Sequence, residues 1–282
     1  MIVATLDGVL HPSDQPLLRP DDVGVLRGDG VFETTLVVDG VPRDLEEHLA
    51  RLAVSATMID LQLPADDEWR RGIDAVLQAW TPLPDRQMVL RLIATRGPEH
   101  ADVPTCYVTG GPLPEATCAQ RDGVRIRVLP RGFAGREIVV MPWLLPGAKT
   151  LSYAINMAAI RHAKSLGDQD VVFVGTDGTV LEGPTATVVL AVGDTLTTPP
   201  RDGILDGITV RRLFAAAEKA GWTTRRAEFE TERLLSAGGA YLLSSARILA
   251  PIVSVDGTAR PIGPRTAELA ALLELPGAPN GR

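Results

Sequence analysis

Lysine is scarce in this chain. Lysine and arginine together number 28 in 282 residues, yet only Lys149, Lys164 and Lys219 are lysines. Cysteine is scarcer still, with Cys106 and Cys118 alone. Two cysteines so placed exclude a disulfide framework and a cysteine-based metal motif, so no metal site is expected. No apolar run approaches the ~18 residues of a membrane-spanning helix. The opening "MIVATLDGVLHPSDQ" lacks the basic and long apolar regions of a signal peptide, so a cytoplasmic protein is expected. Net positive charge is also missing: the balance is -7. That argues against nucleic acid or an anionic membrane as the main partner. It leaves room for a small anionic substrate, which a local arginine cluster can meet.

The hydrophobic fraction of 45% and charged fraction of 22% fit a globular protein of one large domain or two ordinary ones. "MIVATLDG" and "GVFETTLVVDGVPRD" read as strands, with Asp39-Gly40 as a hairpin signal. A helix is expected over about 44–59, with Asp44 as N-cap and Glu47 completing a capping box. A second covers about 66–80, and "QMVLRLIATRG" and "PTCYVTGG" are strands. The breaker-rich stretch around 110–123 predicts a linker at 113–122 between an N-terminal α/β domain, 1–112, and a C-terminal one, 123–282. Beyond it come the strand "VRIRVLP", a helix over 153–166 ending at Gly167, and the strands "DVVFVG", "TVLEG" and "ATVVLAV". A turn at Thr176-Asp177-Gly178 joins the first two. A helix from near Thr209 to Gly221, the strand "AYLLSS" and the helix "PRTAELAALLEL" follow, and "LPGAPNGR" reads as a disordered tail.

Lysine differs from arginine in that its amine can lose a proton and attack a carbonyl. Lys164 and Lys219 fall near helix C-termini, where the macrodipole favours a cation. Lys149 follows "PWLLPGA" and precedes a helix. It is either a solvated loop lysine or a reactive amine. Other segments bear on the choice. "DGITVRR" sets Gly207, Ile208 and Thr209 at a helix start, where amides suit a phosphate as readily as a plain cap. His48, Arg51 and Ser55 share one helix face. Glu182 ends a strand before Gly183-Pro184.

The ordered set "RGDGVFET", "HLARLAVSA", "AKTLSYAINMA", "DGTVLEGPTATVV", "LDGITVRR" and "SSARILAPI" resembles the class IV pyridoxal-phosphate enzymes along almost the whole chain. These include branched-chain and D-amino-acid aminotransferases and 4-amino-4-deoxychorismate lyases. The likeness is strongest to the lyases. It implies a mixed α/β, two-domain fold of the D-amino-acid-aminotransferase type, a homodimer, and pyridoxal 5'-phosphate held where the domains meet. By the same resemblance, Lys149 bonds the cofactor aldehyde and moves the substrate proton. Glu182 faces the ring nitrogen. Arg51, Ile208, Thr209 and Ser245 hold the phosphate, and Phe32, Glu33 and Thr35 line the substrate side. "TRGPEHADVPTCYV" has no arginine after Arg96, unlike the D-amino-acid enzymes, whereas Arg247 stands in "SSARILAPI". An arginine there suits a substrate with extra carboxylates. The expected activity is therefore cleavage of aminodeoxychorismate to 4-aminobenzoate and pyruvate, in folate biosynthesis. A branched-chain or D-amino-acid aminotransferase is the alternative.

Overall fold

The computed structural model describes residues 1–80 and 87–276. Residues 277–282, where most of the expected tail falls, lie outside the described part. The chain divides into two compact units. One is Met1–Pro114 with Ala148–Tyr153; the other is Glu115–Gly147 with the chain from Ala154 onward.

The first unit holds strands β1 (Ile2–Thr5), β2 (Leu10–His11), β3 (Gly30–Val38), β4 (Val41–Pro42), β5 (Met88–Thr95) and β6 (Thr105–Pro112). They form one antiparallel sheet in the order β2-β1-β6-β5-β3-β4. Its helices are α1 (Val23–Arg27), α2 (Leu45–Met58) and α3 (Asp66–Ala79). Apolar residues at helical spacing, Leu49, Leu52 and Ala56 on α2 with Trp69, Ile73 and Val76 on α3, bury against Val31, Leu90 and Val108 of the sheet. Burying side chains of this size contributes about 1.5–3 kcal/mol each. Asp39 and Gly40 have φ of 51° and 78°, the double positive φ that closes a two-residue hairpin in register with strand twist. The capping box does not form. Asp44 is left-handed, with φ 51°, and its side chain makes no cap hydrogen bond.

The second unit holds β7 (Val124–Pro130), β8 (Asp170–Val174), β9 (Thr187–Val192), β10 (Thr195–Thr198), β11 (Thr223–Arg226), β12 (Gly239–Ser244), β13 (Ile248–Val255) and β14 (Thr258–Ala259). The sheet runs β11-β10-β9-β12-β13-β7-β8, with β14 beside β13. It is mixed: β10–β11, β13–β7 and β7–β8 are parallel. Helices α4 (Glu115–Ala119), α5 (Gly135–Ile138), α6 (Ala154–Ser165), α7 (Ile208–Lys219), α8 (Glu232–Ser236) and α9 (Thr266–Leu272) complete it. "TVLEG" is not a full strand. It contributes single bridging pairs, Val174 with Val180 and Thr179 with Glu230.

The division between the units, at Pro114 and Glu115, falls inside the stretch expected as linker, whose residues 115–122 fold as α4 and the 3-10 turn Gln120–Asp122 in the second unit. Residues 148–153, expected in the C-terminal domain, pack with the first unit. The cause is backbone pairing: Phe32 N–H donates to Lys149 O at 3.1 Å and Leu151 N–H to Gly30 O at 2.8 Å. Breaker residues mark local bends; they do not reveal which sheet edge a later segment will occupy.

Candidate active site

In the first unit, pairing fixes the backbone around Lys149. Besides the bonds to β3, its own N–H donates to Ser55 Oγ at 3.1 Å, from the fully buried Ser55 on α2. Gly30 leaves no room for a Cβ, which would collide with the Ala94 carbonyl on β5 and stand 2.7 Å from Leu151 Cδ1. Lys149 is only 9% exposed, whereas Lys164 and Lys219 are exposed in last helical turns. Its Nζ lies 4.3 Å from the centre of the Phe32 ring and 3.4 Å from the Tyr153 hydroxyl. The two rings meet edge to face at 5.2 Å. Among the described residues, no carboxylate is paired with this amine. Tyr153, four residues after Lys149, was not singled out by the sequence.

Strand alternation separates Phe32 from Glu33 and Thr35, which the sequence reading grouped on the substrate side. Glu33 points to α2 and is 1% exposed. Its carboxylate accepts from His48 Nδ1 at 2.7 Å and from Arg51 Nε and Nη2 at 2.6 and 2.9 Å. Burial pushes its pKa up, but Arg51 and His48 prevail and hold it at about 2. Thr35 is 2% exposed, and its hydroxyl donates to the carbonyl of Arg43. Glu33 thus fixes Arg51, and Thr35 ties β3 to Arg43, just beyond β4. The opposite face carries Phe32 and Thr34. Register sets Thr34, Arg91 and Thr109 side by side there, next to the row of Phe32, Ile93 and Tyr107. As a residue Arg91 is exposed and has no acidic partner among the described residues, while partial desolvation of its charged group lowers its pKa. The sequence signal was present, a charge at the centre of the apolar "MVLRLIAT".

In the second unit, Glu182 is half-buried. Its Oε2 accepts from Leu205 N–H at 3.1 Å, and its carbonyl accepts from Phe173 N–H at 2.8 Å. The turn after it is braced by Asn156, whose Nδ2 donates to Pro184 O at 2.7 Å, while Arg131 Nη1 lies 3.3 Å from Asn156 Oδ1. Ile208 and Thr209, 3% and 7% exposed, open α7 behind the N-cap Gly207. A Cβ on Gly207 would stand 2.5 Å from Thr187 Oγ1, so a larger residue here would displace that hydroxyl. First-turn amides have no carbonyl partner within their own helix and sit at its positive end. Ser245 is half-buried in the turn between β12 and β13.

Arg247, expected as a substrate ligand, is engaged within the second unit. Its side chain is 7% exposed; Nη1 lies 2.7 Å from Asp170 Oδ2 and Nη2 lies 3.0 Å from Thr185 Oγ1. A guanidinium so engaged holds the fold, since removing it would leave Asp170 as a buried, unpaired charge.

Among the described residues, no cluster of three or more His, Cys, Asp or Glu could hold a metal. Nor is any helix there long and apolar enough to cross a membrane.

Comparison with known proteins places this geometry. The chain is 42% identical to a Mycobacterium tuberculosis protein named bifunctional aminodeoxychorismate lyase / D-amino acid transaminase, over 97% of this chain and 98% of that one. Solved structures of a hypothetical aminotransferase from the same organism, in PLP-bound and in α-ketoglutarate- and PMP-bound forms, superpose with TM-score 0.94 at 42% identity, again over 97% and 98% of the two chains. A fold IV transaminase from Curtobacterium pusillum gives TM-score 0.88 at 37% identity over 96% and 97%. The sequence pattern of amino-transferase class IV matches residues 30–255, most of the chain, and this protein belongs to that family of enzymes.

Proposed function

We propose that this chain is a pyridoxal 5'-phosphate enzyme that cleaves 4-amino-4-deoxychorismate to 4-aminobenzoate and pyruvate, a step of folate biosynthesis. The observation that carries the reading is the buried Lys149 amine between two aromatic rings, in a chain whose near-full-length relative bears the lyase name. The residues fit the cofactor. Lys149 offers an amine without a carboxylate partner, the start of α7 offers helix-terminal amides behind a glycine, and Glu182 offers a carboxylate held by Leu205.

When bound, pyridoxal phosphate supplies an aldehyde that captures amines and a ring that withdraws electron density. The remaining work falls to this chain. Arg51, Ile208, Thr209 and Ser245 bind the phosphate by charge-assisted and amide hydrogen bonds. Glu33 orients Arg51 through two parallel bonds, so the cation is fixed before the cofactor arrives. Glu182 holds a proton on the ring nitrogen. Lys149 Nζ takes the proton from the amine-bearing carbon of the substrate, and the Tyr153 hydroxyl, 3.4 Å from Nζ, orients the lysine amine. Phe32 covers the amine on one side and excludes water. Arg91, with Thr34 and Thr109, takes the carboxylate-reading role first expected of Arg247.

The experiment is incubation of the holoenzyme with aminodeoxychorismate and no keto acid. A lyase makes 4-aminobenzoate through many turnovers. A single stoichiometric burst, with steady turnover only when an amino acid and a keto acid are both supplied, overturns it.

D-amino-acid transamination is the second reading. It is favoured by the second activity in the relative's name and by the neighbouring structure holding α-ketoglutarate and PMP. The protein works as a homodimer in the cytoplasm. Exposed apolar residues in the second unit, Val140 at 75%, Trp143 at 71% and Ile155 at 67%, support a surface for a second copy. Light scattering in solution tests it.

A further inference from the structure

The turn from Ser244 to Ile248 is strained. Ile248, β-branched and 1% exposed, has φ 66°, a left-handed conformation that such a residue rarely adopts. Leu249 N–H donates to Arg247 O at 3.0 Å, closing the reversal across a single residue. Strain of this kind persists only where surrounding contacts over-determine it, and it concentrates at functional sites.

The contacts are on the page. Arg247 ties the turn to Asp170 and Thr185. Arg121, half-buried in the 3-10 turn after α4, ties it from outside. Its Nε donates to Arg247 O at 3.0 Å and its Nη2 to Ala246 O at 3.0 Å. One planar guanidinium thereby holds the two carbonyls that follow Ser245. The bond is long-range, 125 and 126 residues apart in sequence.

We propose that Arg121 is a positioning residue for cofactor binding. It clamps the main chain beside Ser245, so that the serine meets the phosphate without Arg121 touching the cofactor. The inference rests on the cofactor reading above. Arginine is needed because its planar fork spans both carbonyls, whereas a lysine ammonium reaches one.

The test compares the wild type with Arg121→Ala and Arg121→Lys by titrating each apo-protein with pyridoxal phosphate and with pyridoxal, which lacks the phosphate. Thermal melting of the apo-proteins is recorded alongside. Arg121→Ala should weaken pyridoxal phosphate binding about tenfold. Pyridoxal affinity should stay within about twofold. Arg121→Lys should fall between, with the apo-protein folded. If Arg121→Ala fails to fold, the same comparison is read from Arg121→Lys. Unchanged affinity for pyridoxal phosphate overturns the inference, as does equal weakening of both ligands. A wild type that binds neither overturns the cofactor reading and takes this inference with it. A wild type that binds pyridoxal phosphate, beside variants that bind it equally well, sinks the clamp alone.

Discussion

Arg51 Nε lies 2.6 Å from Glu33 Oε1, and its Nη2 lies 2.9 Å from Glu33 Oε2, a two-bond pairing between α2 and β3 that is almost wholly buried. His48 completes the set from one helical turn earlier. The arginine assigned to the phosphate is therefore part of a preformed, charge-compensated group.

That pairing gives a pH dependence with a definite sign. Glu33 has its pKa held at about 2, below its ordinary 4.5, so its contribution to stability is full above about pH 4.5 and is lost as pH falls toward 2. The depression corresponds to something on the order of 3 kcal/mol. Denaturant unfolding of the apo-protein between these limits should show the loss. Glu33→Gln should flatten that part of the curve, and an unchanged slope in the variant would remove Glu33 as its source.

Lys149→Arg should abolish cofactor attachment while keeping the positive charge, because a guanidinium does not condense with an aldehyde. Lys164→Arg and Lys219→Arg should leave it intact, since both side chains are exposed. Borohydride reduction followed by peptide mass mapping reads the site. Label on either exposed lysine would contradict the assignment.

Arg91→Gln should raise KM for a substrate with extra carboxylates by about tenfold, the size of one lost charged hydrogen bond, with little change in cofactor affinity. The expectation follows from an arginine without an acidic partner among the described residues, on the sheet face that also carries Phe32. Steady-state kinetics decide it, and an unaltered KM counts against the subsite.

Arg247→Ala should act on stability. Leaving Asp170 buried without its partner costs about 3–5 kcal/mol. Urea unfolding should record a loss of that order, with no selective effect on substrate KM in whatever fraction stays folded. A stable variant with a raised KM would restore Arg247 to the substrate.

What the sequence disclosed was what local chemistry determines. Asp39-Gly40 announced a hairpin because few pairs accept two positive φ values in a row. Lys149 stood out because nearly every other cation was a guanidinium, and the ordered motifs around it resembled one family. The fate of Glu33 and Arg247 was not local. Glu33 takes its meaning from His48 and Arg51, 15 and 18 residues away, and Arg247 from Asp170, 77 residues away. Motif matching treated neighbours in sequence as neighbours in role, whereas alternation along β3 sends Phe32 and Glu33 to opposite faces. Arg91 was visible as a charge in an apolar strand, but its significance depends on the strands paired to either side.

The lysine segment also bears on how such a gene can be cut and recombined. Ala148–Tyr153 belongs to the first unit, yet the chain on either side of it belongs to the second. A fragment ending at Pro114 would lack the stretch that pairs with Gly30 and Phe32, leaving that edge of β3 open to association with other chains. No single crossover can transplant either unit whole. A library joined at one point between β3 and Ala148 therefore pairs Lys149 with a strand from the other parent, whereas a junction beyond Tyr153 keeps the two together.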